Sequence, residues 1–193
     1  GVCVVWLEYR CNDGGHDFET VSHNSASRDG EPFEAIISKR NFLPNRVARF
    51  CTAELKIRTQ DRFLKSLGWK KWHAARGIRA DERHRVEGKE FRDCWKPWHP
   101  LIDANVSKYD VTAFWDRQPF DLRLPNVNGR TQLGNCDGCF LKSEASLAAF
   151  VRDYPERAQW WIDQESRIRS AGKAKSGTFH QTRSYAGLRD FLD

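Results

Sequence analysis

Cysteine carries the most evident chemistry in this chain. There are six: Cys3, Cys11, Cys51, Cys94, Cys136 and Cys139. Only the last two form a close pair, within Gly134-Asn135-Cys136-Asp137-Gly138-Cys139-Phe140. Cysteines three positions apart can put both sulfurs on one metal, and the glycines let the backbone wrap tightly around it. A zinc ribbon needs a second such pair, which the sequence lacks. A thioredoxin-like redox pair needs a strand-to-helix setting, also lacking. A ligand role is therefore favoured, and the spacing suits iron–sulfur and zinc alike. Cys51 lies in Arg49-Phe50-Cys51-Thr52-Ala53-Glu54-Leu55-Lys56 at the start of an expected helix. There the positive end of the helix dipole, Arg49 and Lys56 would favour a thiolate. A buried structural cysteine is the plainer alternative, and for this motif alone the stronger one.

A third constellation is Gly77-Ile78-Arg79-Ala80-Asp81-Glu82-Arg83-His84-Arg85. A strand ending in Gly would set Arg79 and Arg85 at the carboxyl end of a sheet, where open α/β folds bind ligands. Arginine suits bidentate contact with phosphate or sulfate. Asp81 or Glu82 can serve as a general base or can orient the arginines, and orientation ranks first. Lys70 and Lys71, between Trp69 and Trp72, read as a base-stacking and phosphate-gripping edge. Core packing accounts for most of the eight tryptophans. His73, His84 and His99 have no partner at ligand spacing and are taken as non-metal.

Charge supports a polyanionic partner. The chain carries a net +6, but residues 39–92 hold 16 Lys/Arg against 6 Asp/Glu, while the remainder holds 16 against 20. That clustering suits nucleotide phosphates or a nucleic-acid backbone, with DNA preferred. At 39% apolar and 30% charged residues the chain reads as globular. No run approaches the length of a membrane span, and Val2–Leu7 lacks the basic flank of a signal peptide. A reduced, cytoplasmic setting without membrane contact follows as the expectation.

The elements that must position these residues are short. Val2–Tyr9 reads as a buried strand, with Asp17–His23 following an Asp13-Gly14-Gly15 turn. Pro32 opens a helix over Glu31–Lys39. Thr52 is expected to cap the next helix, with Leu55, Phe63, Leu64 and Leu67 near one face and Gly68 stopping it. Trp72–Ile78 reads as a strand before a charged loop, Arg79–Glu90. Ser107 with Asp110 forms a capping box for a helix to about Asp116. Ser143–Arg152 and Glu156–Arg169 read as helices, Pro155 leading the second. Ser170–Gly177 reads as a flexible basic linker and Thr178–Asp193 as a docking tail, giving an α/β domain over 1–170 and a tail over 171–193.

In this order the three motifs resemble phage- and prophage-encoded members of the phosphoadenylyl-sulfate (PAPS) reductase family, within the adenine nucleotide alpha-hydrolase group. The resemblance takes in Ser25–Arg28 with Gly30–Phe33, Phe50–Arg58, Gly77–Arg85, Pro100-Leu101, Asp110-Val111, Gln118–Leu122, Gly134–Lys142, Trp160-Trp161 and Ser184–Ala186. It implies a Rossmann-like, mainly parallel sheet flanked by helices. It further implies a [4Fe–4S] cluster on Cys51, Cys136 and Cys139, with Cys94 or an exogenous group as fourth ligand and zinc as the alternative metal. Two departures stand out. This sequence contains no Ser-Gly-Gly-x-x-Ser loop to cradle ATP, so the fold would be a truncated one, its loop lost or supplied by a partner chain. No cysteine follows Cys139, so PAPS reduction by the family's nucleophilic cysteine is not expected.

Three readings follow. The first is an iron–sulfur enzyme acting on a nucleotide or nucleic acid, its substrate held by Arg49, Lys56, Arg79, Arg85, Lys70 and Lys71. The second is a DNA-acting phage-defence enzyme, base-excising or modification-directed, in which Asp81, Glu82 or Asp137 supports the departing sugar cation or a water. The third is a non-enzymatic nucleic-acid-binding module with a structural metal.

Overall fold

The computed structural model describes residues 1–193 except 13, 89–93, 128–129, 132, 135, 173–176 and 192–193. Asp13 of the expected turn, the end of the Arg79–Glu90 loop, Asn135 of the cysteine motif, the middle of the linker and the last two tail residues lie outside the described residues. The protein is mixed α/β, and its chain divides into two compact units: Gly1–Phe63 with Leu124–Asp193, and Leu64–Arg123. Among the described residues no helix is long and apolar enough to cross a membrane.

In the first unit, β1 (Trp6–Asn12) and β2 (Gly15–Val21) pair antiparallel, Tyr9 opposite Phe18 and Cys11 opposite His16. So tight a connection, with Gly14 at φ 75°, permits only a hairpin. The expected buried strand over Val2–Tyr9 is corrected here: pairing begins at Trp6, and Val2 is 91% exposed. A two-stranded ladder has one covered face, where Tyr9 packs with Ile36 and Phe50. Helix α1 (Glu31–Arg40) has Pro32 in its first turn and ends at Asn41 in the left-handed conformation, close to the expected span.

The next helix is irregular. α2 (Phe50–Thr52) runs straight into a π-helical stretch, Ala53–Arg58, and continues as α3 (Thr59–Ser66). Thr52 lies inside the helix and makes no capping bond; Arg49 occupies the cap position. The π-helical stretch rotates the following turn, and the Thr59 hydroxyl donates to the Glu54 carbonyl at 2.7 Å. Gly68, at φ 82°, follows the helix end as expected.

In the second unit, β3 (Trp72–Ala75) and β4 (Trp95–Trp98) pair in parallel, with a 3₁₀ helix, Ala80–Arg85, in the crossover. Trp72, Trp95 and Ile102 are buried, the last on α4 (Pro100–Asp103). α5 (Lys108–Asp116) carries the expected capping box: Asp110 accepts the Ser107 N–H at 2.8 Å, and Ser107 Oγ accepts the Asp110 N–H at 3.4 Å. Back in the first unit, β5 (Asn126–Val127) and β6 (Arg130–Thr131) form a third, antiparallel pair. Among the described residues, then, the expected mainly parallel sheet is corrected to three two-stranded ladders, one of them parallel. Parallel pairing needs a crossover of about a dozen residues or more, and of these three connections only the one from β3 to β4 has that length.

The main core is built by α6 (Glu144–Asp153), α7 (Pro155–Ser170) and α8 (Tyr185–Arg189). Ser143 caps α6, Ser184 caps α8, and Pro155 opens α7. Trp161, Ile162, Glu165 and Ile168 form the inner stripe of α7, at the spacing an amphipathic helix requires. Phe179, Tyr185 and Leu188 bring the tail into this core, whereas Phe191 stays exposed. A buried carboxylate fastens it: Glu165 accepts the backbone N–H groups of Phe179 at 3.0 Å and Tyr185 at 2.9 Å. Burial pushes the Glu165 carboxyl above its ordinary range, against the pull of those two donors. Glu165→Ala strands both N–H groups without partners. Urea unfolding should register a loss of about 2–4 kcal/mol, and limited proteolysis should cut first between residues 177 and 191.

Candidate functional site

The cysteine loop is held from below by aromatic packing. A Cβ at Gly138 would lie 2.6 Å from the Trp161 ring, so only glycine fits against that indole. The Tyr185 hydroxyl donates to the Gly138 carbonyl, and Trp161 stacks on Tyr185 with centroids 5.5 Å apart. The turn closes through the Cys139 N–H to the Cys136 carbonyl at 3.2 Å. Lys142 Nζ donates to the Asp137 carbonyl at 2.8 Å. Burial lowers the Lys142 ammonium's pKa, opposed by Asp137, Cys139 and Cys136 nearby.

Cys51 belongs to the same neighbourhood. Burial pushes its thiol up; Thr52 opposes that by hydrogen bonding, and Cys136 and Cys139 reinforce it electrostatically. The expected lowering of this thiol by the helix start, Arg49 and Lys56 is thus outweighed by desolvation, and both cations are exposed. The three sulfurs of the expected ligand set sit within electrostatic reach of one another. Among the described residues no three Cys, His, Asp or Glu side chains stand close enough to enclose one ion. As a donor set, three thiols from two segments fit thiolate-preferring metals. Cys94 lies in the second unit, at the start of β4.

Beside the loop a cleft of about 400 Å³ opens between α1 and α7, lined by Arg28, Phe33, Asp137, Arg157, Trp160 and Trp161, with Asp29 and Glu156 also on its wall. Asp137 forms an ion pair with Arg157. Gly30 lies flat against Trp160: a Cβ there would meet the indole Nε1 at 2.8 Å, and its φ is 91°. That Nε1 is buried and makes no protein hydrogen bond. An aromatic floor with charged edges suits a planar heterocycle. Sequence reasoning named Asp137 but not the cleft, whose walls come from segments 28–33, 137 and 156–161.

The Arg79 constellation lies in the second unit, engaged with itself. Arg79 grips Asp81 through two bonds of 3.0 Å, and Glu82 pairs with Arg85 at 2.6 Å while receiving the Arg79 N–H at 3.4 Å. Hydrogen bonding from Arg79 holds the Asp81 carboxyl below its usual range. For Glu82, burial acts upward and is outweighed by Arg85 and Arg79. Both carboxylates therefore stay ionised and orient guanidinium groups. Lys70, Lys71 and Trp69 are exposed, whereas Trp72 is core.

The basic segment 39–92 spans both units, and three of its arginines converge on a residue that sequence reasoning did not single out. Glu54 has no solvent exposure, and Arg40, Arg58 and Arg62 all reach it. An acidic residue beside Lys and Arg on a helix reads as a solvated surface, so no local signal marked it.

The residues thus define a mixed α/β protein with a cysteine loop at the edge of an aromatic cleft. No family model matches the chain, and no solved structure matches it. Among curated proteins it is similar to an uncharacterized nin region protein, ORF290, of Escherichia phage lambda, at 29% identity over 126 residues. The match covers 64% of this chain and 39% of the phage protein, so it spans well under half the length of that relative.

Gly138→Ala tests whether the loop depends on the indole beneath it. Overpacking against Trp161 should lower stability by about 1–3 kcal/mol in urea titrations, and thiol alkylation of Cys136 and Cys139 should accelerate.

Proposed function

We propose that this chain is an iron–sulfur, PAPS-reductase-like enzyme of phage type that acts on a nucleotide or nucleic-acid substrate, with no ATP pyrophosphatase loop among its residues. The observation that carries the reading is that Cys51, from a distant segment, lies within electrostatic reach of Cys136 and Cys139. The loop of those two cysteines contributes Asp137 to the wall of the Trp160–Trp161 cleft. The likeness to a phage protein supports the setting, and the parallel β3–β4 pair with its crossover supports a parallel-sheet ancestry.

In this reading Cys51, Cys136 and Cys139 would hold the metal as thiolates, with an outside group completing the set. A bound cluster supplies electron transfer or a coordination point for a substrate sulfur or oxygen. Phe33, Trp160 and Trp161 stack the base, Arg28 meets anionic oxygens at the rim, and Asp137 holds Arg157 in place. Arg49 and Lys56 extend the contact along a polyanion, and Lys70 and Lys71 offer the second unit's own contact to one.

A second reading, a base-excising or modification-directed DNA enzyme, gains support from the size of the cleft and from Asp137 on its wall. A flipped base would stack on the tryptophans while Asp137 supports the departing sugar cation or a water. Asp81 and Glu82 are not among the residues lining this cleft and are weaker choices for that role.

Anaerobic purification should yield a brown protein containing iron and sulfide, and Cys136→Ser should bleach it. A colourless, metal-free protein that folds normally would end the iron–sulfur reading. Release of free base from modified or plain DNA, lost in Asp137→Asn, would select the second.

Duplex DNA binding should fall steeply with salt. With about five phosphates contacted, the log–log slope should be roughly −4 to −5. Lys70→Glu with Lys71→Glu should weaken it; unchanged binding at low salt would mean that the basic segment is only a solvated surface.

A further inference from the structure

The cations around Glu54 exceed what one carboxylate requires. Its Oε1 accepts Arg40 Nη2 and Arg58 Nη1, each at 2.7 Å, and its Oε2 accepts Arg62 Nη2 at 3.3 Å. His16 Nδ1 stands 3.7 Å from Oε2 and shares a 2.9 Å hydrogen bond with the Tyr9 hydroxyl. Lys39, anchored on the Gly14 carbonyl, adds to the same positive field around His16. Three guanidinium groups thus meet on one carboxylate, with Lys39 close by.

The geometry has an inner and an outer side. Glu54 is fully enclosed, whereas the side chains of Arg40, Arg58 and Arg62 keep 35%, 58% and 25% of their surface. Each guanidinium is thus fixed at one edge by the carboxylate, on a side chain that keeps part of its surface in solvent. Arg62 Nη1 is buried and makes no protein hydrogen bond. A set of forks preset on a buried acid, partly exposed and with one buried N–H group lacking a protein hydrogen bond, is matched to a tetrahedral oxyanion.

We propose that Arg40, Arg58 and Arg62, held in place by Glu54, form a binding site for a phosphoryl group, whether from a mononucleotide or from a nucleic-acid backbone. The site needs neither the metal centre nor the aromatic cleft, so its test stands apart from theirs. Glu54 is a positioning residue here, and the guanidinium groups make the contacts. Cys51 lies three residues before Glu54 on the same helix, which puts the phosphoryl site within about one helical turn of that cysteine along the helix.

Calorimetric titration of the intact protein with inorganic phosphate, against chloride at matched ionic strength, tests this directly. Phosphate should bind saturably. Arg58→Gln, which leaves Arg40 and Arg62 on Glu54, should weaken it about tenfold or more while circular dichroism stays unchanged. Arg58→Lys, keeping charge but losing the fork, should fall between the two. Titrations with dAMP and with a short duplex distinguish the sources. Saturable dAMP binding lost in Arg58→Gln assigns a nucleotide phosphate. Duplex binding alone, with a salt slope reduced by about one in the variant, assigns the backbone. Equal responses to phosphate and chloride in the parent protein, or phosphate affinity unaltered in a folded Arg58→Gln protein, overturn the proposal. Iron content, read on the same samples, reports separately on the cysteine site.

Discussion

A carboxylate sealed from solvent stays ionised only if cations follow it inside, and in this protein that requirement falls on Glu54. Arg40 arrives from α1, while Arg58 and Arg62 come from the following turns of the same irregular helix. His16 and Tyr9 bring the β1–β2 hairpin to the joint. One buried acid thereby registers three elements that also share an apolar cluster around Tyr9, Ile36 and Phe50. Burial acts to raise the Glu54 carboxyl, but hydrogen bonds from Arg40 and Arg62 and the charges of His16 and Arg58 bring it below its ordinary value. A depressed folded-state pKa contributes stability that is present above the unfolded value and is lost as pH falls through the folded one. Acid therefore loosens this joint by removing the charge the arginines converge on.

The second enclosed acid solves the problem differently. Glu165 has backbone N–H groups for its hydrogen bonds, and burial outweighs them, so its carboxyl is raised rather than lowered. Its partners lie in the tail, which makes it a fastener for Phe179 and Tyr185. Those two rings pack on Trp161, and Trp161 supports Gly138. The position of the cysteine loop therefore depends on a chain of contacts beginning at the far end of the sequence.

The two kinds of candidate chemistry differ in how ready they are. Arg79, Asp81, Glu82 and Arg85 satisfy one another at the surface of the second unit, and any ligand there must compete with existing ion pairs. The aromatic cleft has open volume and an indole N–H without a protein hydrogen bond, and the cysteine loop supplies Asp137 to its wall. Open volume and an aromatic floor make the first unit the stronger candidate for binding a small planar group.

Local devices were legible because they operate within four or five residues. Pro32 and Pro155 in first turns, the Ser107–Asp110 capping box, Gly14 in its turn and the Cys136–Cys139 spacing need only their neighbours to be recognised. Thr52 misled because a residue with good capping chemistry was preceded by residues that already continued the helix. Val2–Tyr9 misled because apolar composition promises burial only when a second layer exists to cover it, and a two-stranded hairpin provides one covered face. The amino-acid sequence alone determined the helix starts at Pro32, Ser107 and Pro155, the cysteine pair and the excess of positive charge over residues 39–92. Only the tertiary structure decided that Cys51 lies within electrostatic reach of that pair, that Trp160 and Trp161 wall a cleft, and that three arginines share one buried glutamate. Each of those outcomes depends on burial and on partners distant in the chain, and a side chain's own type and neighbours do not encode either.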